Sequence, residues 1–209
     1  SRQELVGTYL VDFIAMIFGM PMALFPAISQ TLGGVEVLGI LYSAPAIGAL
    51  VVSFFSGWVA HVHRHGAAIA ISATLWGVAI IFFGFAESIW FALLFLGMAG
   101  FFDMISGIFR GSIWNQTIPN YLRGRLASIE MISYLTGPML GSAKMGIVAE
   151  RFSVKIALVS GGILCVAGVF ILALTLPKFV AYDGREGVKQ KEREEARRAE
   201  LLRVSEGEF

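Results

Sequence analysis

Long apolar stretches separated by short polar breaks dominate the chain. Six of them approach or exceed the length of about 20 mostly apolar residues that a helix needs to cross the hydrocarbon core of a bilayer. They run over residues 5–27, 37–60, 67–86, 89–110, 126–148 and 154–176. The stretches do not alternate apolar and polar positions as barrel strands do. The pattern therefore predicts an all-α membrane protein with six transmembrane helices.

The distribution of charged residues predicts a boundary between an apolar bundle and a charged tail near the C-terminus. Of the 209 residues, 56% are hydrophobic and 15% are charged, against roughly 25% charged in an average soluble domain. Residues 178–209 hold 8 of the 16 Lys and Arg residues and 8 of the 15 Asp and Glu residues. The chain is thus predicted to comprise a six-helix bundle over 1–177 and a charged, solvated helical tail over 178–209. The balance excludes a disordered chain, a basic nucleic-acid-binding domain and an ordinary soluble enzyme.

The positions of Lys and Arg predict the orientation. Six spans place both termini on the same side of the membrane. Thirteen of the 16 basic residues fall on that side, tail included, whereas Arg151 and Lys155 fall on the other. Because basic loops stay in the cytoplasm, we expect a multi-pass protein of the plasma membrane with both termini cytoplasmic.

Four charged residues lie inside predicted spans and away from the span ends, where each charge costs roughly 2.5–3.5 kcal/mol on insertion scales. They are Asp12, Asp103, Glu130 and Lys144. Asp12 and Asp103 lie at similar depth, and burial disfavours the charged form of a carboxyl, which suits a proton-binding site. The alternative is a structural carboxyl that is hydrogen-bonded to neighbouring helices. Arg110 shares a helix face with Asp103 but is too distant for a simple i,i+4 pair, so it is expected to have another partner or to lie at the membrane interface.

The fifth predicted helix has one patterned face with a helical period. It consists of Glu130, Tyr134, Gly137, Gly141 and Lys144. Glycines four residues apart let helices approach closely, and Pro138 weakens backbone bonding and permits bending. We expect either a hinged helix that lines a cavity or a tight packing stripe. Pro21 and Pro26 predict a kinked or broken first helix, and Pro45 is a candidate hinge or packing residue in the second. Interrupted helices often mark a transport path.

The histidines and the single cysteine of the sequence do not predict a metal site or a disulfide. His61, His63 and His65 alternate within one polar loop, but no carboxylate or thiol accompanies them. The loop is therefore predicted to be a basic anchor at the membrane surface rather than a metal site. Cys165 is the single cysteine, so an intramolecular disulfide is impossible. We expect no metal and no cofactor.

Several short motifs accompany the predicted spans. They are residues 24–27 (LFPA), 38–50 (LGILYSAPAIGAL), 56–61 (SGWVAH), 116–119 (QTIP) and 122–126 (LRGRL). With these motifs the chain resembles, from residue 5 to 177, the C-terminal six-helix half of a major facilitator superfamily transporter. The group it resembles most is that of the transmembrane secretion effectors, which includes enterobactin exporters. The resemblance implies a twelve-helix carrier whose N-terminal six-helix half lies outside this sequence.

The resemblance also implies roles for helices and loops. The first, second, fourth and fifth helices would line a central cavity, and the third and sixth would lie outside it. The stretch 57–66 takes the place of the cytoplasmic gating motif Gly-x-x-x-Asp-Arg-x-Gly-Arg. Gly57 is kept, His61 stands at the acidic position, and Arg64 and Gly66 are displaced. A second cytoplasmic gating loop would contain Arg123, Gly124 and Arg125.

The function implied by the resemblance is alternating-access export from a bacterial inner membrane. Protons would exchange for a small-molecule substrate, siderophore-like or drug-like, with the lipid bilayer as surroundings and no nucleic acid as partner. A second hypothesis is a self-contained six-helix protein that homodimerises into a pore or carrier. A third is an intramembrane aspartyl protease, but the residues before Asp12 and Asp103 do not match the Tyr-Asp and Gly-x-Gly-Asp motifs of that class. We therefore do not expect an enzyme.

Overall fold

The computed structural model describes residues 3–55, 57, 61–118, 120–185, 188–189, 192–193 and 196, without the side chains of residues 120, 129, 130 and 133. Among the described residues, 3₁₀ turns cover Met22–Leu24 and Asn120–Leu122. The α-helices are α1 (Gln3–Gly19), α2 (Phe25–Leu32), α3 (Val35–Phe54), α4 (His65–Phe83), α5 (Ile89–Thr117), α6 (Arg123–Arg151), α7 (Val154–Thr175) and α8 (Pro177–Val180). Apart from one bridge between Arg64 and Asp183, the described part of the chain is free of β pairing. The predicted all-α class is confirmed.

Among the described residues, five segments are long and apolar enough to cross a membrane. They are Gln3–Leu32, Val35–Phe54, His65–Phe83, Ile89–Thr117 and Val154–Thr175. The predicted fifth span lies within α6, which has 29 residues and is therefore long enough to cross. Its composition excludes it from the apolar set, since Glu130, Lys144 and several small polar residues lower its hydropathy. Five of the six predicted spans therefore meet both criteria, and the membrane crossing by α6 stays a prediction.

The first apolar segment is a broken helix. α1 ends at Gly19, and α2 begins at Phe25 after the 3₁₀ turn. Pro21 lies in this break, where its missing N–H and fixed φ oppose a continuous helix. Pro26 is in the first turn of α2, a position at which proline is tolerated.

Glycine contacts allow the helices to pack closely. α3 packs on α5, where Gly48 lies against the backbone of Gly97 and Gly100 lies against Pro45. A Cβ atom at Gly48 or Gly100 has no room. α4 contacts α5, α7 and α1, while α1 also packs on α6 and α7. The apolar core lies between these helices and contains the fully buried Phe25, Leu41, Ile69, Leu96, Phe109, Met145 and Leu158.

After α7 the chain folds back over the end of the bundle at which α1, α4 and α6 begin. We call Pro177–Arg185 the strap. Its Phe179 is fully buried against Gly7 of α1, and Tyr182 is buried as well. This first part of the charged tail, expected to be solvated, is thus packed on the helices because it carries two aromatic side chains. Most of the remaining tail lies outside the described residues.

Candidate functional site

Three charged side chains from two helices meet beside a cavity. Arg110 Nη1 on α5 contacts Asp12 Oδ1 on α1, and Arg110 Nη2 lies 3.7 Å from Asp103 Oδ1. The Asp12 side chain is only 12% exposed, whereas that of Asp103 is 48% exposed. The Nε atom of Arg110 is buried and has no hydrogen-bond partner within the described structure. One guanidinium therefore holds one carboxylate closely and a second one loosely.

The sequence left open whether Arg110 has a partner on another helix or lies at the membrane interface. Asp103 and Arg110 lie on one face of α5, about two turns apart at 3.6 residues per turn. The long arginine side chain spans much of that distance, and α1 brings Asp12 to its other side. Arg110 is thus oriented toward the interior of the bundle, where an ion pair is stronger than in water.

A cavity of about 620 Å³ lies beside this cluster. Its wall is mainly apolar, with four methionines, Met16, Met20, Met22 and Met104, and the aromatic Phe25 and Trp76. Asp103, Arg110 and Tyr134 supply polar groups. None of the described residues that line the cavity belongs to α7. α4, which was expected to lie outside, contributes Trp76 and Ile80, because Gly19 leaves room for the Trp76 ring against α1.

A second cavity of about 220 Å³ adjoins the first. Both are lined by Gly107, Arg110 and Tyr134, and the smaller one also by Asp12 and Trp114. Trp114 Nε1 donates a hydrogen bond to the Tyr9 hydroxyl at 2.7 Å, which ties α5 to α1 beside it. Arg110 therefore lies between two adjoining spaces, with Asp12 facing the smaller and Asp103 facing the larger.

The predicted polar face of α6 partly lines the cavities and partly packs against α1. Tyr134 lines both cavities and is 63% exposed. Gly137 and Gly141 pack against Met16 of α1, and Gly141 contacts its backbone so closely that a Cβ atom has no room. Lys144 Nζ donates a hydrogen bond to the Phe18 carbonyl oxygen at 3.0 Å. The side chain of Glu130 lies outside the described residues.

The predicted hinge prolines lie at the cavity wall. Pro21, Pro45 and Pro138 all line the larger cavity. Pro45 is also the residue against which Gly100 of α5 packs. The break in the first helix and the contact between α3 and α5 therefore both shape this space.

The first predicted gating loop meets the strap. Arg64 forms the antiparallel bridge with Asp183, and Gly66 lies beneath the Phe179 carbonyl with no room for a Cβ atom. Gly57 and His61 are exposed. The second half of the loop, at Arg64 and Gly66, therefore packs against the strap, a segment that was predicted to be solvated.

The second predicted gating loop is tied to α5. Arg123 Nη2 donates a hydrogen bond to the Asn115 carbonyl oxygen at 3.3 Å. Gly124 and Arg125 are exposed, and a Cβ atom at Gly124 would meet nothing within 4 Å.

Thr117 and Tyr182 at the strap were missed by sequence reasoning. His65 was predicted to belong to a basic anchor at the membrane surface, but it is only 7% exposed, and its ring centroid lies 5.3 Å from that of Phe109. The Tyr182 hydroxyl lies 3.2 Å from Thr117 Oγ1 on α5, within hydrogen-bonding distance. The signal that could have revealed this contact is the pair of aromatic residues, Phe179 and Tyr182, in an otherwise charged tail.

An ion pair between Arg185 and Asp183 lies at the end of the strap. Arg185 Nη2 lies 3.2 Å from Asp183 Oδ2, and the Arg185 backbone N–H donates to Asp183 Oδ1 at 2.9 Å. The Arg185 side-chain hydrogen bonds, followed by the backbone one, hold the pKa of Asp183 below its ordinary value. Among the described residues, no group of three His, Cys, Asp or Glu side chains is placed to hold a metal ion.

Long apolar helices packed around a charged cluster and an adjoining cavity define a multi-pass membrane protein of the carrier type. The sequence profile of the Major Facilitator Superfamily matches residues 10–205. The chain therefore belongs to this superfamily of transporters, which is not a family of enzymes.

Similarity to individual relatives is distant and covers part of each. The chain is 28% identical over 179 residues to "Enterobactin exporter EntS" of Citrobacter koseri, which covers 81% of this chain and 43% of that protein. It is 27% identical over 197 residues to the protein of the same name in Escherichia coli O157:H7, covering 86% of this chain and 47% of the relative. It is 28% identical over 177 residues to that of Salmonella typhi, covering 80% and 42%. The chain thus spans less than half the length of these relatives.

Proposed function

We propose that this chain forms one six-helix half of a carrier that exports a small amphipathic molecule in exchange for protons. α6 is then the sixth membrane-crossing helix, and both termini lie in the cytoplasm. The observation that carries the proposal is the Arg110 cluster at the edge of the 620 Å³ cavity. A volume of that size suits a small ligand, since ligand sites commonly measure about 300–1,000 Å³.

The two carboxylates have different roles in this proposal. Asp12 is the buried counter-ion that holds Arg110 in place, because it is the more buried carboxylate and contacts Nη1 directly. Asp103 is the proton carrier, because it lines the cavity and lies at the longer distance from Arg110. Protonation of Asp103 removes its charge and leaves one side of the guanidinium without an anionic partner.

The proposed cycle follows from this difference. With Asp103 deprotonated, its carboxylate accepts a hydrogen bond from a donor group of the substrate in the cavity. A proton on Asp103 removes that charged acceptor and releases the substrate, so that proton and substrate exclude each other. Alternating access of the cavity to the two membrane surfaces turns this mutual exclusion into exchange of protons for substrate.

The cavity is open on the side of α6, which supports a carrier with a second six-helix half. Tyr134 and Leu135 of α6 line the cavity and are nevertheless 63% and 58% exposed. A second bundle packed on this side would close the cavity. The same exposed face also suits a second copy of this chain, which is the homodimer alternative. The intact mass of the native gene product from its source membrane distinguishes the two, since a value near twice 22.6 kDa supports a two-half carrier.

Transport by the full-length gene product in proteoliposomes tests the exchange. The relatives' names make enterobactin the first probe substrate, and a pH-sensitive dye in the lumen reports proton movement. We expect a proton flux opposite to the siderophore in the wild type. Asp103→Asn should lower it by at least about tenfold, while the control Asp183→Asn, which lines neither cavity, should leave it unchanged. Proton-coupled efflux that survives in Asp103→Asn at the wild-type rate contradicts the assigned role.

A further inference from the structure

Lys144 lies where the first helix breaks. The last four carbonyl groups of an α-helix have no intrahelical partner, and α1 ends at Gly19. The Phe18 carbonyl belongs to this last turn, and it accepts a hydrogen bond from Lys144 Nζ at 3.0 Å. A cation is favoured at this position because the helix dipole is negative at the C-terminus.

Several further contacts hold the same turn. The Lys144 ammonium lies 5.1 Å from the centroid of the Phe18 ring, a distance at which a cation is attracted to an aromatic face. Gly141 of α6 lies against the Met16 carbonyl, and Gly161 of α7 lies against the Phe18 carbonyl. The end of α1 is therefore fastened to α6 and α7.

The chain beyond the break is fastened to other helices. The Tyr42 hydroxyl of α3 donates to the Met22 carbonyl oxygen at 3.4 Å. Phe25 is fully buried, and its ring centroid lies 5.0 Å from that of Tyr42 and 6.1 Å from that of Phe83 on α4. The short segment between the two anchored parts contains Met20, Pro21 and Met22, all of which line the larger cavity.

We propose that Lys144 is a positioning residue whose ammonium holds the end of α1 and thereby fixes the cavity wall at Met20–Met22. It neither carries the exchanged proton nor contacts the substrate. A lysine inside a membrane is costly, and the carbonyl at the helix end compensates by accepting a charge-assisted hydrogen bond. Lys144 does not line either cavity of the Arg110 cluster, which agrees with a role exerted through α1.

Amide hydrogen exchange of the full-length protein in nanodiscs tests the structural part. Lys144→Met keeps the length of the side chain and removes the donor, and we expect it to speed exchange over residues 20–25 by about tenfold through local opening. Lys144→Arg should restore slow exchange, since it can still donate to the carbonyl. Lys155→Met is the matched control, because that ammonium lies 4.6 Å from the Phe85 ring centroid, away from the break. Unchanged exchange in Lys144→Met overturns the proposal.

The efflux assay tests the functional part, which rests on the proposed function. Lys144→Met should raise the apparent KM while the pH dependence of efflux stays that of the wild type, and Lys144→Arg should restore KM. A shifted pH profile in Lys144→Met with unchanged KM overturns the positioning role. Absence of efflux from the wild type would contradict the proposed function alone, since the exchange experiment does not depend on transport.

Discussion

The guanidinium of Arg110 on α5 contacts the carboxylate of Asp12 on α1, and this ion pair joins the two helices beside the cavity. Both side chains are largely shielded from water, while the second carboxylate, Asp103, is half exposed. We therefore assign a stabilising role to the buried Asp12 and the exchange of a proton to the half-exposed Asp103. The first prediction concerns the stabilising pair.

Arg110→Met should destabilise the protein by about 3–5 kcal/mol, because it leaves the buried Asp12 carboxylate without its counter-ion. Asp12→Asn should also destabilise, and the double variant should lose less than the sum of the two single losses. Unfolding free energies measured by steric trapping in detergent provide the comparison. Asp103→Asn is the control, with an expected effect of about 1 kcal/mol or less at a half-exposed position. Strict additivity of Asp12→Asn and Arg110→Met would show that the two residues do not interact.

Gly141→Ala tests the packing of α6 on α1. A Cβ atom there collides with the Met16 carbonyl, which belongs to the backbone and cannot rotate away. We expect a loss of about 1–3 kcal/mol, which is typical of overpacking. Gly146→Ala on the same helix is the matched control, because nothing lies within 4 Å of its added Cβ atom. Equal stability of the two variants in the same unfolding assay would contradict the close approach of the helices.

Phe179→Ala tests the docking of the strap. Its ring is fully buried against Gly7, and truncation of such a phenylalanine costs about 3–5 kcal/mol. The control is Phe170→Ala on α7, where the side chain is 62% exposed. Faster proteolysis after residue 176 in Phe179→Ala, and unchanged proteolysis in Phe170→Ala, is the expected pattern. A strap that stays equally protected in Phe179→Ala would show that the ring does not hold it.

The pH dependence of the strap follows from Asp183. Its pKa is depressed in the folded protein by the hydrogen bonds from Arg185. The stabilising contribution is therefore present above the ordinary carboxyl value of about 3.9 and is lost as the pH falls through the depressed value. We expect strap amides to exchange faster below about pH 4, and Asp183→Asn to abolish that part of the pH dependence. A transition between pH 5 and 8 that persists in Asp183→Asn would identify another titrating group.

Much of the helical architecture could be predicted from the sequence. Hydropathy alone located the segments that became α1 with α2, α3, α4, α5 and α7, because a chain in lipid must satisfy its backbone hydrogen bonds internally. The break at Pro21 was also predictable, since proline cannot continue the backbone bonding pattern. The helix over 126–148 was predicted as well and lies within α6, which is the least apolar of the long helices because its glycines and Lys144 serve contacts with α1.

The strap shows why composition can mislead near a boundary. The charge of residues 178–209 predicts solvation for the whole segment, yet Phe179 and Tyr182 are buried. Two aromatic side chains are enough to dock a short segment, because each buries a large apolar area. Average composition over a window does not contain that information.

The sequence by itself determined that the chain is a bundle of membrane helices, and that Asp12, Asp103, Glu130 and Lys144 needed an explanation, because the cost of burying a charge depends on its depth in the span. Only the tertiary structure decided which partners the described side chains have. Arg110 contacts Asp12, and Lys144 contacts Phe18, each across two helices. Such pairs depend on how helices distant in sequence rotate and pack against one another, and the hydropathy of any single helix is the same for many such arrangements.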